Sequence, residues 1–329
     1  MRPRIAGFVF VAVVALVATA CGGKSAATHF SLAHKKSQPA GITTGPDGHI
    51  WFTQFSGGRI ARVNSAGKID EFPIPTHRAG PFDITTGPDG NLWFTEFSAD
   101  KVARITPSGE IKEFPLPNEK SGPYGITTGP DGNLWFTLQK TDRIARMTVD
   151  GEVTEFPIPF KGPLRPSPWG VAAGKDGNIW FTMQGSSKIG RMTMAGEITE
   201  WALADKSGPA DITLGPDGNI WFSEIYDGKI GRITPDGQIS EYPTGGKNSS
   251  PKGITVGPDG NIWYTDLGRN RIGRMTTLGE VKDYPLGKGY RQVQGITVGP
   301  DGHIWFTETH ANTVSRLTLP SPSAEGKKQ

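Results

Sequence analysis

Short runs of alternating apolar and polar residues, separated by turns rich in Gly, Pro and Asp, extend along most of the chain. The motif Gly-Ile-Thr, or a close variant, occurs seven times. A glycine follows each copy two residues later, at positions 45, 87, 129, 174, 215, 257 and 299. Successive glycines are therefore 42, 42, 45, 41, 42 and 42 residues apart. A repeat of this length without helical periodicity is typical of a β-propeller blade.

Each copy of the repeat contains four predicted strands. In the second copy they cover residues 83–85, 93–95, 101–105 and 111–115. A Pro-Asp-Gly turn joins the first two strands, and a Ser-Gly or Asp-Gly turn joins the last two, as expected of tight hairpins. Four antiparallel strands in one repeat make one blade. We therefore predict an all-β protein, a seven-bladed β-propeller with four-stranded antiparallel blades.

The two ends of the repeat region complement each other. The last copy stops after Pro320 and lacks its fourth strand, whereas residues 29–33 align with the fourth-strand segment 71–75. An N-terminal strand that completes the last blade would close the ring and leave no unpaired strand edge at the junction. We predict that the propeller covers residues 28–320 and that a disordered tail follows at 321–329.

The N-terminal segment has the features of an export signal. Arg2 and Arg4 precede an apolar run from Ile5 to Ala20, which is too short for a typical membrane span. Small residues lead to Cys21, the single cysteine of the chain, so an internal disulfide is excluded. The segment 1–21 resembles a lipoprotein signal peptide with lipidation at Cys21, and residues 22–27 form a tether. The alternative is an ordinary cleaved signal with an incidental cysteine.

This interpretation predicts an extracytoplasmic protein, either lipid-anchored or secreted. Its contact with the membrane would be through the lipid at Cys21 alone. The formal net charge is +3, and no basic block marks a nucleic-acid surface. We expect a monomer whose partner is a small molecule or a peptide.

Two residue types recur in every copy, and such positions serve the repeat itself. We predict that the seven repeated tryptophans pack between adjacent blades. They are Trp51, Trp93, Trp135, Trp180, Trp221, Trp263 and Trp305. An arginine recurs on each third strand, for example Arg62, and an acidic residue on the fourth strand, for example Glu71. We predict that these two form cross-strand ion pairs.

Function is expected where the copies differ, and two positions differ most. The first lies at the start of strand one: Ala40, Phe82, Tyr124, Trp169, Ala210, Lys252 and Gln294. The second lies at the end of strand two: Gln54, Glu96, Leu138, Met183, Glu224, Asp266 and Glu308. Because the two strands are antiparallel, we expect both sets to line one face around the central channel.

This face combines an aromatic arc, which we define as Phe82, Tyr124 and Trp169, with polar and mostly acidic residues. The polar members are Glu96, Glu224, Lys252, Asp266, Gln294 and Glu308. An apolar wall that faces convergent polar groups is typical of a ligand pocket. The alternative is a merely hydrated channel mouth. Asp83 and Asp211 add acidic groups, but strand alternation predicts that they point away from their neighbours.

The copies at 80–85 and 122–127, with Trp-Phe-Thr-Glu and Ile-Gly-Arg-Ile-Thr elsewhere, resemble the virginiamycin B (streptogramin B) lyase family over residues 28–320. The resemblance implies a magnesium-assisted carbon–oxygen lyase that linearises cyclic depsipeptide antibiotics by elimination. In such a reaction a general base removes a proton beside a carbonyl, and the metal stabilises the developing charge.

The family's functional positions are largely replaced in this chain. The resemblance implies a histidine in blade seven where Gln294 stands, a glutamate at Gln292, a second histidine in blade six at Lys252, and a tyrosine in blade one at Ala40. Only Glu308 is retained. Because glutamine cannot act as a base near neutral pH, we predict that the family's reaction is lost.

Three functions remain open at this point. The first is a cell-envelope propeller that binds a small molecule or peptide at its central face without the family's activity. The second is an active lyase that uses Glu308 and His310, two residues apart, as catalytic groups, with Glu308 also available to a magnesium ion. The third is a protein-interaction platform without a pocket ligand.

Overall fold

The computed structural model of the protein describes residues 27–320. They form seven four-stranded antiparallel sheets arranged as blades, so the predicted seven-bladed propeller is confirmed. The predictions for the signal peptide, Cys21 and the 321–329 tail concern residues outside this described part, as does most of the tether. Between residues 27 and 320, no helix has the length and apolar character needed to cross a bilayer.

The first strand in the chain, β1 (Ala27–Ser31), belongs to the last blade. Blade one comprises β2 (Pro39–Thr44), β3 (Ile50–Gln54), β4 (Arg59–Val63) and β5 (Ile69–Pro73). Blade two comprises β6 (Pro81–Thr86), β7 (Leu92–Glu96), β8 (Lys101–Ile105) and β9 (Ile111–Pro115). Blade three comprises β10 (Pro123–Thr128), β11 (Leu134–Leu138), β12 (Arg143–Met147) and β13 (Val153–Pro157).

The remaining blades follow the same order. Blade four comprises β14 (Pro168–Ala173), β15 (Ile179–Met183), the 3-10 turn Gln184–Ser186, β16 (Lys188–Met192) and β17 (Ile198–Ala202). Blade five comprises β18 (Pro209–Leu214), β19 (Ile220–Glu224), β20 (Lys229–Ile233) and β21 (Ile239–Pro243). Blade six comprises β22 (Pro251–Val256), β23 (Ile262–Asp266), β24 (Arg271–Met275) and β25 (Val281–Pro285). Blade seven comprises β26 (Val293–Val298), β27 (Ile304–Glu308), β28 (Thr313–Leu317) and β1.

The N-terminal strand closes the ring as predicted. Strand β1 pairs antiparallel with β28, from Ala27 opposite Leu317 to Ser31 opposite Thr313. Phe30 on β1 is buried and stacks on Trp305 of the same blade, with ring centroids 5.5 Å apart. The last blade therefore contains both ends of the described chain.

The repeated tryptophans pack between blades, as predicted. Trp51 is fully buried, stacks on Phe72 of its own blade, and contacts Ile84 and Phe94 of blade two. A hydroxyl group at the same position of each second strand adds a polar link to the first strand of the next blade. In blade one, the Thr53 hydroxyl donates to the Phe82 carbonyl oxygen at 2.8 Å. The same link joins blade seven to blade one through Thr307.

The predicted arginine–glutamate pairs are wrong. On β4 and β5, Arg62 lies opposite Asp70 whereas Ala61 lies opposite Glu71, so the Arg62 and Glu71 side chains project from opposite faces of the blade. Arg62 instead contacts Asp47 of the Pro-Asp-Gly turn, and Asp47 also accepts a hydrogen bond from the Trp51 indole at 2.9 Å. The equivalent arginine–aspartate contact occurs in every blade. These aspartates thus have a structural role beyond the turn.

Candidate ligand site in the central cavity

The start of each first strand is irregular, and this irregularity builds the site. In every blade the register between strands one and two shifts at this point, for example between Pro81 and Ile84 of β6. A β-bulge bends its strand and redirects side chains. The bulged residues surround the central channel and line one cavity. They are Ala40, Phe82, Tyr124, Trp169, Ala210, Lys252 and Gln294, together with the residue that follows each of them.

The cavity is small. Its volume is about 70 Å³, and a single water needs roughly 10–15 Å³ on this measure. The cavity therefore accommodates a few waters or one small chemical group. A large ligand can place only one group inside it and must lie across the face of the propeller with the rest.

The aromatic arc is a continuous wall of this cavity. The rings of Phe82 and Tyr124 are stacked with centroids 3.8 Å apart, and Tyr124 and Trp169 follow at 4.9 Å. Phe55 and Phe97 support the arc from behind, at 6.1 Å from Phe82 and 6.0 Å from Tyr124 respectively. The structure thus brings together the three aromatic residues that the sequence singled out.

Asp83 and Asp211 also line the cavity, contrary to the expectation from simple alternation. The bulge interrupts the two-residue period, so consecutive residues both reach the channel. Asp83 accepts hydrogen bonds from its neighbour Ile84 and from Ile126 of the next blade, at 2.9 and 3.0 Å. Asp211 repeats this arrangement in blade five. The sequence does mark both positions, because an aspartate stands there in place of the glycine of the Gly-Ile-Thr motif.

Both aspartates have a pKa above the ordinary value of an aspartate side chain. Burial and the nearby charge of Asp211 together raise the pKa of Asp83 to about 7, against the opposing effect of its two amide hydrogen bonds. Burial also raises the pKa of Asp211 to about 6, against its amide hydrogen bonds and the charge of Lys252. Near neutral pH the cavity can therefore hold a carboxylic acid and a carboxylate together.

Lys252 supplies the positive charge of the cavity. Its ammonium donates a hydrogen bond to the Gln294 side-chain oxygen at 2.9 Å. The nitrogen also lies 5.8 Å from the ring centroids of both Phe82 and Trp169, within the range of a cation–π contact. Burial lowers the pKa of Lys252 to about 8, while the charge of Asp211 acts in the opposite direction. Lys252 and Gln294, which the sequence analysis places on one polar side of the central face, are thus in direct contact.

The second variable set does not line the cavity. Glu96, Glu224, Asp266 and Glu308 are all buried at the ends of the second strands, outside the cavity wall. The innermost first strand separates the second strand from the channel, and second-strand side chains project sideways between the blades. The expectation that both sets share one channel face therefore fails for this set.

The buried carboxyl groups of the second set have different neighbours. Burial and the adjacent Glu113 raise the pKa of Glu96 to about 8, partly offset by Lys101. Glu224 behaves in the same way beside Glu241. Asp266 accepts hydrogen bonds from the Ser249 hydroxyl and the Ser250 amide, at 2.8 and 2.9 Å. None of these three groups lines the cavity.

Glu308 is held by several donors at once. One carboxylate oxygen lies 3.1 Å from each of His29 Nδ1, Arg291 Nη1 and Ser315 Oγ, and it also accepts the Thr313 hydroxyl. Burial alone would raise the pKa of Glu308. The hydrogen bond and charge of His29, with Thr313 and Arg291, lower it instead. Glu308 is therefore an ionised group in a closed network.

His310 does not join Glu308 in this network. Strand β27 ends at Glu308, so the alternation that would place the two side chains on one side does not continue to residue 310. His310 is exposed, and its ring lies against Tyr290 with centroids 5.5 Å apart. The imidazole beside Glu308 belongs to His29 on β1, which the sequence analysis did not select.

The residues around Glu308 do not fit a magnesium ion. Mg²⁺ prefers an octahedral set of oxygen ligands, whereas the contacting oxygen of Glu308 is already shared by a guanidinium, an imidazole and two hydroxyls. Within residues 27–320, no cluster of three or more His, Cys, Asp or Glu side chains is suited to a metal. No step of the function proposed below involves a metal.

Comparison with known proteins places this geometry in a family. A sequence model described as "Virginiamycin B lyase family" matches residues 25–244 and 163–325, which together span most of the chain. No curated protein matches.

Three similar solved structures are lyases. A streptogramin B lyase structure is 39% identical, covers 89% of this chain and 97% of its own, and has a TM-score of 0.84. Selenomethionine-substituted virginiamycin B lyase from Staphylococcus aureus is 40% identical, with coverage of 89% and 99% and a TM-score of 0.84. A catalytically inactive histidine-to-alanine variant of the S. aureus enzyme with quinupristin is 39% identical, with the same coverage and TM-score. This chain belongs to the virginiamycin B lyase family.

Proposed function

We propose that this protein is a cell-envelope propeller that binds a small molecule or peptide at its central cavity and does not catalyse the family's elimination. The observation that carries this proposal is the Lys252–Gln294 hydrogen bond. It occupies the two positions where the family resemblance implies histidines. An amide at Gln294 cannot accept the proton that a general base must remove.

The remaining family position supports the same conclusion. Glu308 is buried and bound to His29, Arg291, Thr313 and Ser315, and its pKa is lowered. A carboxylate in this state is a poor base, and the first strand separates it from the cavity. Glu308 therefore stabilises blade seven rather than acting on a ligand.

The binding mode follows from the shape and charge of the cavity. One group of the ligand enters between the aromatic arc and the polar side formed by Asp83, Asp211 and Lys252. Aromatic walls with a few convergent polar groups are typical of ligand pockets. We further propose an extracytoplasmic monomer that reaches the membrane through a lipid at Cys21. The basic, apolar and small-residue order of residues 1–21 supports this location.

Quinupristin, the ligand of the related enzyme, is a direct probe of this proposal. The purified protein is titrated with quinupristin by calorimetry, and the mixture with magnesium is then followed by liquid chromatography with mass detection. We expect saturable binding and no linear isomer. Tyr124→Ala and Trp169→Ala should each weaken binding about tenfold, or roughly 1.4 kcal/mol, because each removes part of the cavity wall.

The matched control is Leu278→Ala, since Leu278 is 83% exposed in the turn between β24 and β25, away from the cavity. It should bind as the unmodified protein does. Binding that is absent, or unchanged in both aromatic variants, would refute the proposed cavity site. A partner protein that depends on the outer surface instead would favour an interaction platform.

An active lyase is the second candidate, and one observation favours it. Lys252 titrates near neutral pH, with a pKa of about 8, and its nitrogen lies in the cavity. A neutral lysine amine can act as a general base. If a linear isomer of unchanged mass forms, two variants identify the base. Lys252→Met should abolish the product if Lys252 is the base, and Glu308→Gln should abolish it if Glu308 is the base.

A further inference from the structure

We propose that Lys252 is a nucleophilic amine that captures a small aldehyde or ketone as an imine inside the central cavity. The inference rests on the proposed function only in requiring that the cavity admits a small molecule. It adds a covalent step and a ligand class, a carbonyl compound, that a simple binding pocket does not need.

The contacts of Lys252 differ from those of the other partly buried lysines. Lys101, Lys188 and Lys229 each form an ion pair with a glutamate on the fourth strand, at 3.2, 2.7 and 2.9 Å. Lys252 has no carboxylate at ion-pair distance within residues 27–320; its polar contact is the neutral side chain of Gln294. Its nitrogen also lies 5.8 Å from the ring centroids of Phe82 and Trp169, so it is placed on the inner wall of the cavity.

Burial in the cavity increases the neutral, reactive fraction of the Lys252 amine. With a pKa of about 8, Lys252 at pH 7 carries a neutral fraction roughly two orders of magnitude above that of an ordinary lysine. Desolvated lysines with lowered pKa values are the ones that form Schiff bases in proteins. The other titratable groups around the cavity are Asp83, Asp211 and Tyr124. Burial raises the pKa of Tyr124 well above its ordinary value.

Imine formation needs an acid as well as an amine, and Asp211, which lines the same cavity as Lys252, is a candidate to supply it. The lone pair of neutral Lys252 attacks the carbonyl carbon and forms the C–N bond, the C=O π bond breaks, and one proton passes from the nitrogen to the oxygen to give a carbinolamine. An acid then protonates the hydroxyl, which leaves as water, and the iminium nitrogen returns a proton to the conjugate base, so that the C=N bond forms with no net uptake of protons. Asp211 interacts electrostatically with Lys252, and its pKa of about 6 suits proton transfer near neutral pH.

The cavity limits which carbonyl compounds fit. At about 70 Å³ it has room for the carbonyl group of an aldehyde, and a larger substituent must lie towards its open mouth. The aromatic arc favours a flat or apolar substituent beside the carbonyl, because such a group can stack on Phe82 or Trp169. Benzaldehyde meets both conditions and serves as the probe.

The test is reductive trapping at pH 7. The protein is incubated with benzaldehyde and sodium cyanoborohydride, which reduces an imine to a stable benzyl amine, and the modified lysines are located by peptide mass spectrometry. We expect benzylation of Lys252 at least about tenfold above any other lysine. Lys252→Met should remove this product, and Lys288→Met, a change at an exposed lysine in the loop before β26, should leave it intact. Asp211→Asn should slow the labelling several-fold.

The two proposals give separable results. Labelling spread evenly over surface lysines, or an unmodified Lys252 in a protein with an unchanged melting curve, would overturn the imine. Quinupristin binding by the unmodified protein, measured without aldehyde, reports on the cavity site alone. A protein that binds quinupristin without selective labelling therefore keeps the proposed function and loses this inference.

Discussion

Blade seven and blades two and five place a glutamate at the same point of the repeat, yet the three carboxyl groups differ in ionisation. Glu96, Glu224 and Glu308 each end a second strand and are each fully buried. The pKa of Glu96 and Glu224 rises to about 8, whereas that of Glu308 is lowered. The difference comes from the fourth strand of each blade, because a side chain on that strand contacts the buried group at the end of the second strand.

Blade one shows what the position requires when the fourth strand carries a glutamate. There the Gln54 amide donates a hydrogen bond to Glu71 at 2.7 Å. A protonated Glu96 or Glu224 can donate to Glu113 or Glu241 in the same way. In blade seven the fourth strand is β1, and His29 occupies the position of Glu71, because His29 pairs with Ser315 as Glu71 pairs with Ala61. Glu308 therefore accepts hydrogen bonds instead of donating one.

The largest effect is expected from removing β1, since blade seven then loses both its outer strand and the partner of Glu308. Deletion of residues 28–33 should abolish cooperative thermal unfolding, because the ring opens. Phe30→Ala is the graded version and should cost about 3–5 kcal/mol, as for other buried aromatic residues. Phe160→Ala, at a residue that is 45% exposed, is the control and should change little. Unchanged melting after the deletion would refute closure by this strand.

A smaller effect is expected from Arg291→Met, which removes one cation from buried Glu308. Loss of one partner of a fully buried ion pair lowers the free energy of unfolding by about 3–5 kcal/mol. Because Arg291 is partly exposed and Glu308 keeps its other hydrogen-bond donors, we expect a smaller loss of about 2 kcal/mol. Because the folded-state pKa of Glu308 is lowered, its contribution to stability is present above the ordinary glutamate pKa and is lost as pH falls. The variant should therefore lose less stability than the unmodified protein on acidification.

Urea unfolding at pH 7 and pH 4 measures this difference, with Lys288→Met as the control in the same loop. Equal acid sensitivity of the Arg291→Met variant and the unmodified protein would show that Arg291 does not hold Glu308 ionised.

At pH 5 the smallest effect is expected from Glu96→Gln, and the effect should grow as pH rises. The folded-state pKa of Glu96 is raised to about 8, so its contribution is present below the ordinary glutamate pKa and is lost as pH rises towards 8. Each pH unit in this window costs up to about 1.4 kcal/mol. The variant, which cannot ionise, should match the unmodified protein to within about 1 kcal/mol at pH 5 and exceed it by about 3–4 kcal/mol at pH 8, three pH units higher.

Urea unfolding at these two pH values measures the effect. The reverse change, Gln54→Glu, creates a third carboxyl pair and should lower stability at pH 8 but not at pH 5. If Glu96→Gln is equally destabilising at both pH values, the carboxyl pair is ionised in the folded protein and the comparison with blade seven is wrong.

The sequence by itself determined the architecture. The period of the repeat, its turn residues and the missing fourth strand of the last copy predicted seven blades and their closure by the N-terminus. These features are local, since alternation and turn chemistry act over a few residues. The aromatic arc was predicted too, as was the placement of Lys252 and Gln294 on the same central face, because equivalent positions of a repeat must lie at equivalent places around its axis.

Only the tertiary structure decided the side-chain environments. The bulge brought Asp83 and Asp211 into the cavity, and the first strand shielded Glu96 and Glu224 from it. Glu308 meets His29, a residue at the opposite end of the described chain, rather than nearby His310. The charge state of a buried group depends on every group packed around it, and in a closed ring those groups come from distant segments that no local pattern identifies.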